Sequence, residues 1–141
     1  MIHNVHERTV PGSPEQVWAL LARLGSDDDP VWPKASGIAF RLPEGLRPGA
    51  PVLHGPMRYT VNEVEPGRRL SFNAPASRRS PLHRATHGFD LTPAGDGTRV
   101  RHSFTGGGLR LRLMWALFLG RKHDTVLEEI LDRLTRLTAR P

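Results

Sequence analysis

The chain contains no cysteine, a single tyrosine (Tyr59), only two lysines (Lys34 and Lys122) and few aromatic residues, 6% in all. Without cysteine there is no disulfide framework, no thiolate metal site and no cysteine nucleophile. Long hydrophobic runs are missing too. The longest, Leu113 to Leu119, has seven residues, against about 20 for a membrane span, which excludes a bilayer-crossing helix there. The first ten residues, MIHNVHERTV, carry two histidines, a glutamate and an arginine where a secretory signal needs an apolar stretch, so the expected location is cytoplasmic. The arginines run from Arg8 to Arg140 and nowhere interleave with aromatics as a stacking platform would require. No specific nucleic-acid binding is expected.

What is present is one domain's worth of chain. The 141 residues, 38% hydrophobic, can remove roughly two thirds of their extended surface from water. No repeat, low-complexity segment or linker divides them, so residues 1–141 read as a single domain. The net charge of +6 admits an anionic partner, since arginine grips carboxylates and phosphates with two bonds. It also matches an Arg-, Ala-, Gly- and Pro-rich coding bias. The one local cluster, Arg78, Arg79 and Arg84, surrounds a Ser-Pro that reads as a solvated loop.

Residues 2–10 alternate loosely as a first strand. Ser13-Pro14-Glu15-Gln16 then announces a helix: Ser13 caps, Pro14 suits the first turn, and Gln16 stands where a capping-box partner reaches back. Val17, Trp18, Leu20 and Leu21 give that helix its apolar stripe to about Arg23, with Trp18 expected to be largely buried. Asp27-Asp28-Asp29-Pro30 reads as a solvated turn leading into a short second helix. From residue 37 the period becomes two, with Ile38, Phe40 and Leu42, then runs at 51–54, 57–64, 69–74, 84–92 and 98–105. Tight turns between them argue for an antiparallel meander. Residues 110–139 read as helix, with Leu127, Ile130, Leu131, Leu134 and Leu137 on one face. Gly120 either bends this helix or breaks it before a restart at Thr125; a single bent helix is the favoured reading.

This order of elements resembles the START-like, helix-grip superfamily, also described as polyketide cyclase/dehydrase and lipid transport (SRPBCC). The resemblance rests on residues 13–21 (SPEQVWALL), 59–72 (YTVNEVEPGRRLSF), 86–93 (THGFDLTP) and 97–100 (GTRV), and extends over essentially the whole chain. It implies an α+β fold with a curved antiparallel sheet wrapped around a long C-terminal helix, two short helices after the first strand, and an apolar cavity between sheet and helix. These are fold signatures, and they carry over no catalytic residue.

Inward polar residues then become the candidates. Pairing across the Ala94–Gly97 turn sets His87 opposite Phe104 and Phe89 opposite His102, making the two histidines diagonal neighbours on one face. Tyr59, with Met57 and Val61, looks inward from an earlier strand, and His123 precedes Leu127 by four. Between basic ends, Arg110 to Lys122 offers a membrane-surface helix, a mobile lid, or, as favoured, the first half of the gripped helix with Trp115 or Phe118 at the cavity mouth. The candidate ligand-binding residues are thus Tyr59, His87, Phe89, His102, Phe104, Trp115, Phe118 and His123. They would line a pocket of about 300–1,000 Å³.

No metal or other cofactor is expected. His83 and His87, four apart, would share a helix face, but in a strand they lie about 13 Å apart. Thr105-Gly106-Gly107-Gly108 lacks the serine of a nucleophile elbow. Binding of a small hydrophobic or amphipathic ligand (lipid, polyketide or aromatic) is the first expectation. A polyketide cyclase or dehydratase using a histidine base is the second. An interaction module working through the basic surface is the third.

Overall fold

Even-numbered side chains of β1 (Ile2–Val10) turn toward the interior, whereas His3, Val5, Glu7 and Thr9 face solvent. That alternation is what a sheet covered on one side demands. In the computed structural model, which describes residues 1–75, 82 and 84–139, β1 is followed by α1 (Pro14–Leu21) and a 3₁₀ turn (Lys34–Ser36). Then come β2 (Phe40–Arg41), β3 (Pro51–His54), β4 (Met57–Glu65), β5 (Arg69–Asn73), β6 (Thr86–Ala94) and β7 (Gly97–Gly106). The seven strands form one antiparallel sheet in the order β1-β7-β6-β5-β4-β3-β2. A register shift between Val61 and Glu63 interrupts the β4–β5 ladder, the kind of bulge that bends a sheet. Gly88 helps β6 lie flat on β5: a Cβ there would stand 2.3 Å from the carbonyl oxygen of Leu70.

The C-terminal helix is continuous, as expected, but not uniform. It comprises α2 (Leu109–Met114), a π turn (Trp115–Leu119) and α3 (Gly120–Thr138). Gly120 explains where the irregularity falls. A Cβ at this position would meet the Trp115 ring at 2.8 Å and the Trp115 carbonyl at 2.9 Å, so the wide turn and the inward Trp115 need a bare Cα. The sheet curls around this helix, whose Leu127, Ile130, Leu131 and Leu134 are buried. No helix among the described residues is long and apolar enough to cross a membrane.

Two expectations need correction. Leu137 is 51% exposed; Thr138 takes the inward position and lies against Gly12. Trp18 is only half-buried, and the tryptophan in the core is Trp32, stacked on Phe40 with its indole N–H donating to the Ile38 carbonyl at 2.8 Å. The two short helices expected after β1 are α1 and the 3₁₀ turn. α1 itself begins as read, with Ser13 and Gln16 exchanging capping-box hydrogen bonds, and ends at Leu21. Asp29 is more than a solvated turn residue: its carboxylate accepts from the amides of Gly25, Val31 and Trp32. In the expected arginine cluster, Arg78 and Arg79 lie outside the described residues, as does His83.

Candidate functional site

Between sheet and helix lies a cavity of about 70 Å³, far below the expected size. Large rings fill the space, those of Trp32, Phe40, Phe72, Phe89, Phe104 and Trp115 all lining it. Of the candidates read from the sequence, Tyr59, His87, Phe89, His102, Phe104, Trp115 and His123 line the cavity. Phe118 does not. It is 58% exposed, because the π turn directs Trp115 and Leu119 inward and leaves Leu117 and Phe118 on the outer face.

The β6–β7 register is the expected one, with His87 opposite Phe104 and Phe89 opposite His102. His87 and His102 therefore meet diagonally, His102 Nε2 lying 3.4 Å from His87 Nδ1. The His123 ring stands 5.3 Å from that of His102, and the Tyr59 ring makes an edge contact with His87 at 4.7 Å. A fourth cavity histidine, His54, was missed. It ends β3, touches Trp32, Phe40 and Tyr59, and shares the inward face with Val52. The alternation that identified His87 and His102, applied to 51–54, would have found it.

These imidazoles sit in an apolar wall, and burial governs their chemistry. It lowers the pKa of His54 to about 4. His123 is lowered to about 4 as well, by burial and by His6 and His54, with Asp124 opposing. His87 and His102 are held well below the usual histidine range, first by burial and then by neighbouring histidines. Burial also raises the Tyr59 phenol. At neutral pH the four cavity rings are uncharged, each with one N–H to donate and one lone pair to accept. Yet His54 Nδ1, His87 Nε2, His102 Nδ1 and His123 Nδ1 are buried without a partner among the described residues. Buried polar atoms ordinarily have one.

Residues 1–138 match the family described as polyketide cyclase / dehydrase and lipid transport, and the chain belongs to this family. Among curated proteins none matches. Similar solved structures include a protein from Mycobacterium smegmatis (TM-score 0.72, 15% identity, covering 99% of this chain and 91% of that one). A protein from Nitrosospira multiformis has TM-score 0.70 and 16% identity, over 98% and 97% of the two chains. The Aha1 dimer from Colwellia psychrerythraea has TM-score 0.60 and 16% identity, over 99% and 100%. At these identities the likeness establishes the shared helix-grip fold.

Proposed function

We propose that the chain binds a small apolar ligand bearing a carbonyl or hydroxyl group, an aromatic or polyketide-like ring, in the cavity between sheet and helix. One observation carries this reading: four neutral imidazoles line a largely apolar cavity, each with a buried nitrogen that no group among the described residues satisfies. A ligand oxygen would supply the missing partner, and the surrounding rings would stack on its apolar body. Size limits the candidates. An engineered cavity of about 150 Å³ takes up benzene, so a void of about 70 Å³ must widen even for one ring. The 109–119 segment is the wall best suited to give way, since its outer side chains Leu109, Leu113, Leu117 and Phe118 are exposed and its π turn departs from regular helix. A long-chain lipid would need a larger rearrangement.

Native mass spectrometry of protein purified without denaturation tests the reading. An added small-molecule mass is expected on the wild type and a weaker one on His87→Phe and His102→Phe. Adducts equally abundant on all three proteins would argue against binding through these rings. The cyclase or dehydratase reading draws on the His87–His102 contact, in which one neutral imidazole can take a proton while the other steadies it. Turnover of a linear poly-β-ketone, lost in both variants, would favour that reading over binding alone.

A further inference from the structure

A second polar cluster lies where β1 meets α3. Asn4, His6 and Arg8, on the inward face of β1, meet Asp124, Glu128 and Asp132, spaced four apart along the helix. Asn4 Nδ2 donates to Asp124 Oδ1 at 2.9 Å. His6 Nε2 lies 2.8 Å from the same oxygen, and His6 Nδ1 lies 2.7 Å from Glu128 Oε1. Arg8 pairs with both Glu128 and Asp132. Beside them, His123 Nδ1 is buried, has no hydrogen-bond partner among the described residues, and stands 4.0 Å from Asp124 Oδ1. One ligand atom each from His6, His123 and Asp124 lies within 4.8 Å of the others.

We propose that His6, His123 and Asp124 form a binding site for a divalent first-row transition ion of the Zn²⁺ or Fe²⁺ class. Two imidazoles and one carboxylate suit such ions, whereas Mg²⁺ and Ca²⁺ prefer oxygen donors throughout. Three donors sharing an ion at about 2.0–2.2 Å stand roughly 3–3.5 Å from one another. The two separations to Asp124 Oδ1, 2.8 and 4.0 Å, bracket that range, so side-chain adjustments below about 1 Å in each would close this part of the site.

The surroundings of His6 support the assignment. With Nε2 on the ion, its Nδ1–H donates to Glu128, which Arg8 holds in place. That is the carboxylate–histidine–metal arrangement by which outer groups orient a ligand and raise its basicity. Asn4 is placed to supply a fourth donor. Its Oδ1 is buried without a partner, and turning the amide would put that oxygen where Nδ2 now contacts Asp124.

A metal-free zipper, with His6 bridging the two carboxylates, accounts for His6 alone. It leaves His123 Nδ1 and Asn4 Oδ1 unsatisfied, at the usual penalty for buried polar atoms. Local spacing rules are blind to this cluster because its members come from opposite ends of the chain. The site does not require the cavity to hold a ligand. The two adjoin, however, since His123 also lines the cavity, and three protein donors leave coordination positions open to water or a small oxygen donor.

Titration of chelator-treated protein with Zn²⁺ by calorimetry, and with Co²⁺ by visible absorption, tests the proposal. One ion per chain is expected, with displacement of the His123 ring resonances in the NMR spectrum. His6→Ala and Asp124→Asn should each weaken binding by at least about 100-fold, and Glu128→Gln, acting through His6, by about 10–100-fold. His3→Ala, on the exposed face of β1, should change nothing. Wild-type protein that takes up no stoichiometric ion would overturn the proposal, whatever the variants do. So would binding that survives both His6→Ala and Asp124→Asn in proteins whose circular dichroism is unaltered.

Discussion

Acidification should destabilise this protein earlier and more steeply than its carboxylates alone would require. His54 is packed against Trp32, Phe40 and Tyr59, and burial lowers its pKa to about 4. His87 is displaced in the same direction, by burial and then by His54 and His123. Unfolding exposes both rings to water, where they gain protons below about pH 6.5. The unfolded chain then holds more protons than the folded one, so stability falls as pH falls. The loss opens near the unfolded pKa of about 6.5 and, for His54, is complete once pH passes its folded value of about 4. At about 1.4 kcal/mol per pH unit and ring, His54 alone removes about 2 kcal/mol by about pH 5, and about 3 kcal/mol by about pH 4. His87, His102 and His123 add to the loss in the same direction, and the share of His54 alone is already sizeable against the roughly 5–15 kcal/mol that holds a domain folded. Urea melts of metal-free protein in steps from about pH 7.5 to about pH 5 measure this directly. The midpoint should be level above about pH 7 and then drop, and His54→Leu should remove about 2 kcal/mol of the loss at about pH 5. A midpoint unchanged across the range would refute the reasoning.

Other substitutions probe the packing. Trp32→Ala should cost about 3–5 kcal/mol in denaturant melts, whereas half-buried Trp18→Ala should cost about 1–2 kcal/mol; equal losses would mean that the two tryptophans are wrongly ranked. Gly120→Ala should destabilise by about 1–3 kcal/mol despite alanine's better helix propensity, because its methyl meets Trp115, and tryptophan fluorescence should report the displaced ring. Ser13→Ala removes one half of the capping box and should lower stability by about 1 kcal/mol, seen as a lower melting temperature.

The sheet was the most legible part of the sequence. Period-two alternation marked every strand but the two-residue β2 to within a residue or two, and the Ala94–Gly97 turn fixed the register that joins His87 to His102. Loop residues that enter the core were not legible. Trp32 lies between Pro30 and Pro33 with no periodicity around it, and the Asp29 carboxylate that organises the surrounding backbone looked like one of three equivalent aspartates. Helix phase was legible only where the helix is regular. The stripe from Leu127 to Leu134 was read correctly, but the π turn moved Phe118 outward, and contact with Gly12 drew Thr138 inward in place of Leu137. Alternation also says which face a residue occupies but not how much space its neighbours leave, so the cavity residues were legible and the cavity volume was not.

Histidine ring ¹H–¹⁵N spectra during titration with phenol and 2-naphthol test most directly whether the cavity imidazoles receive a ligand. Resonances of His87 or His102 should move and saturate, with His54 following if the ligand reaches the β3 end of the cavity, while exposed His3 stays in place. His87→Phe or His102→Phe should weaken the response with the fold intact. Saturating amounts of both probes that leave all four cavity rings unmoved would contradict the binding site assigned to this protein.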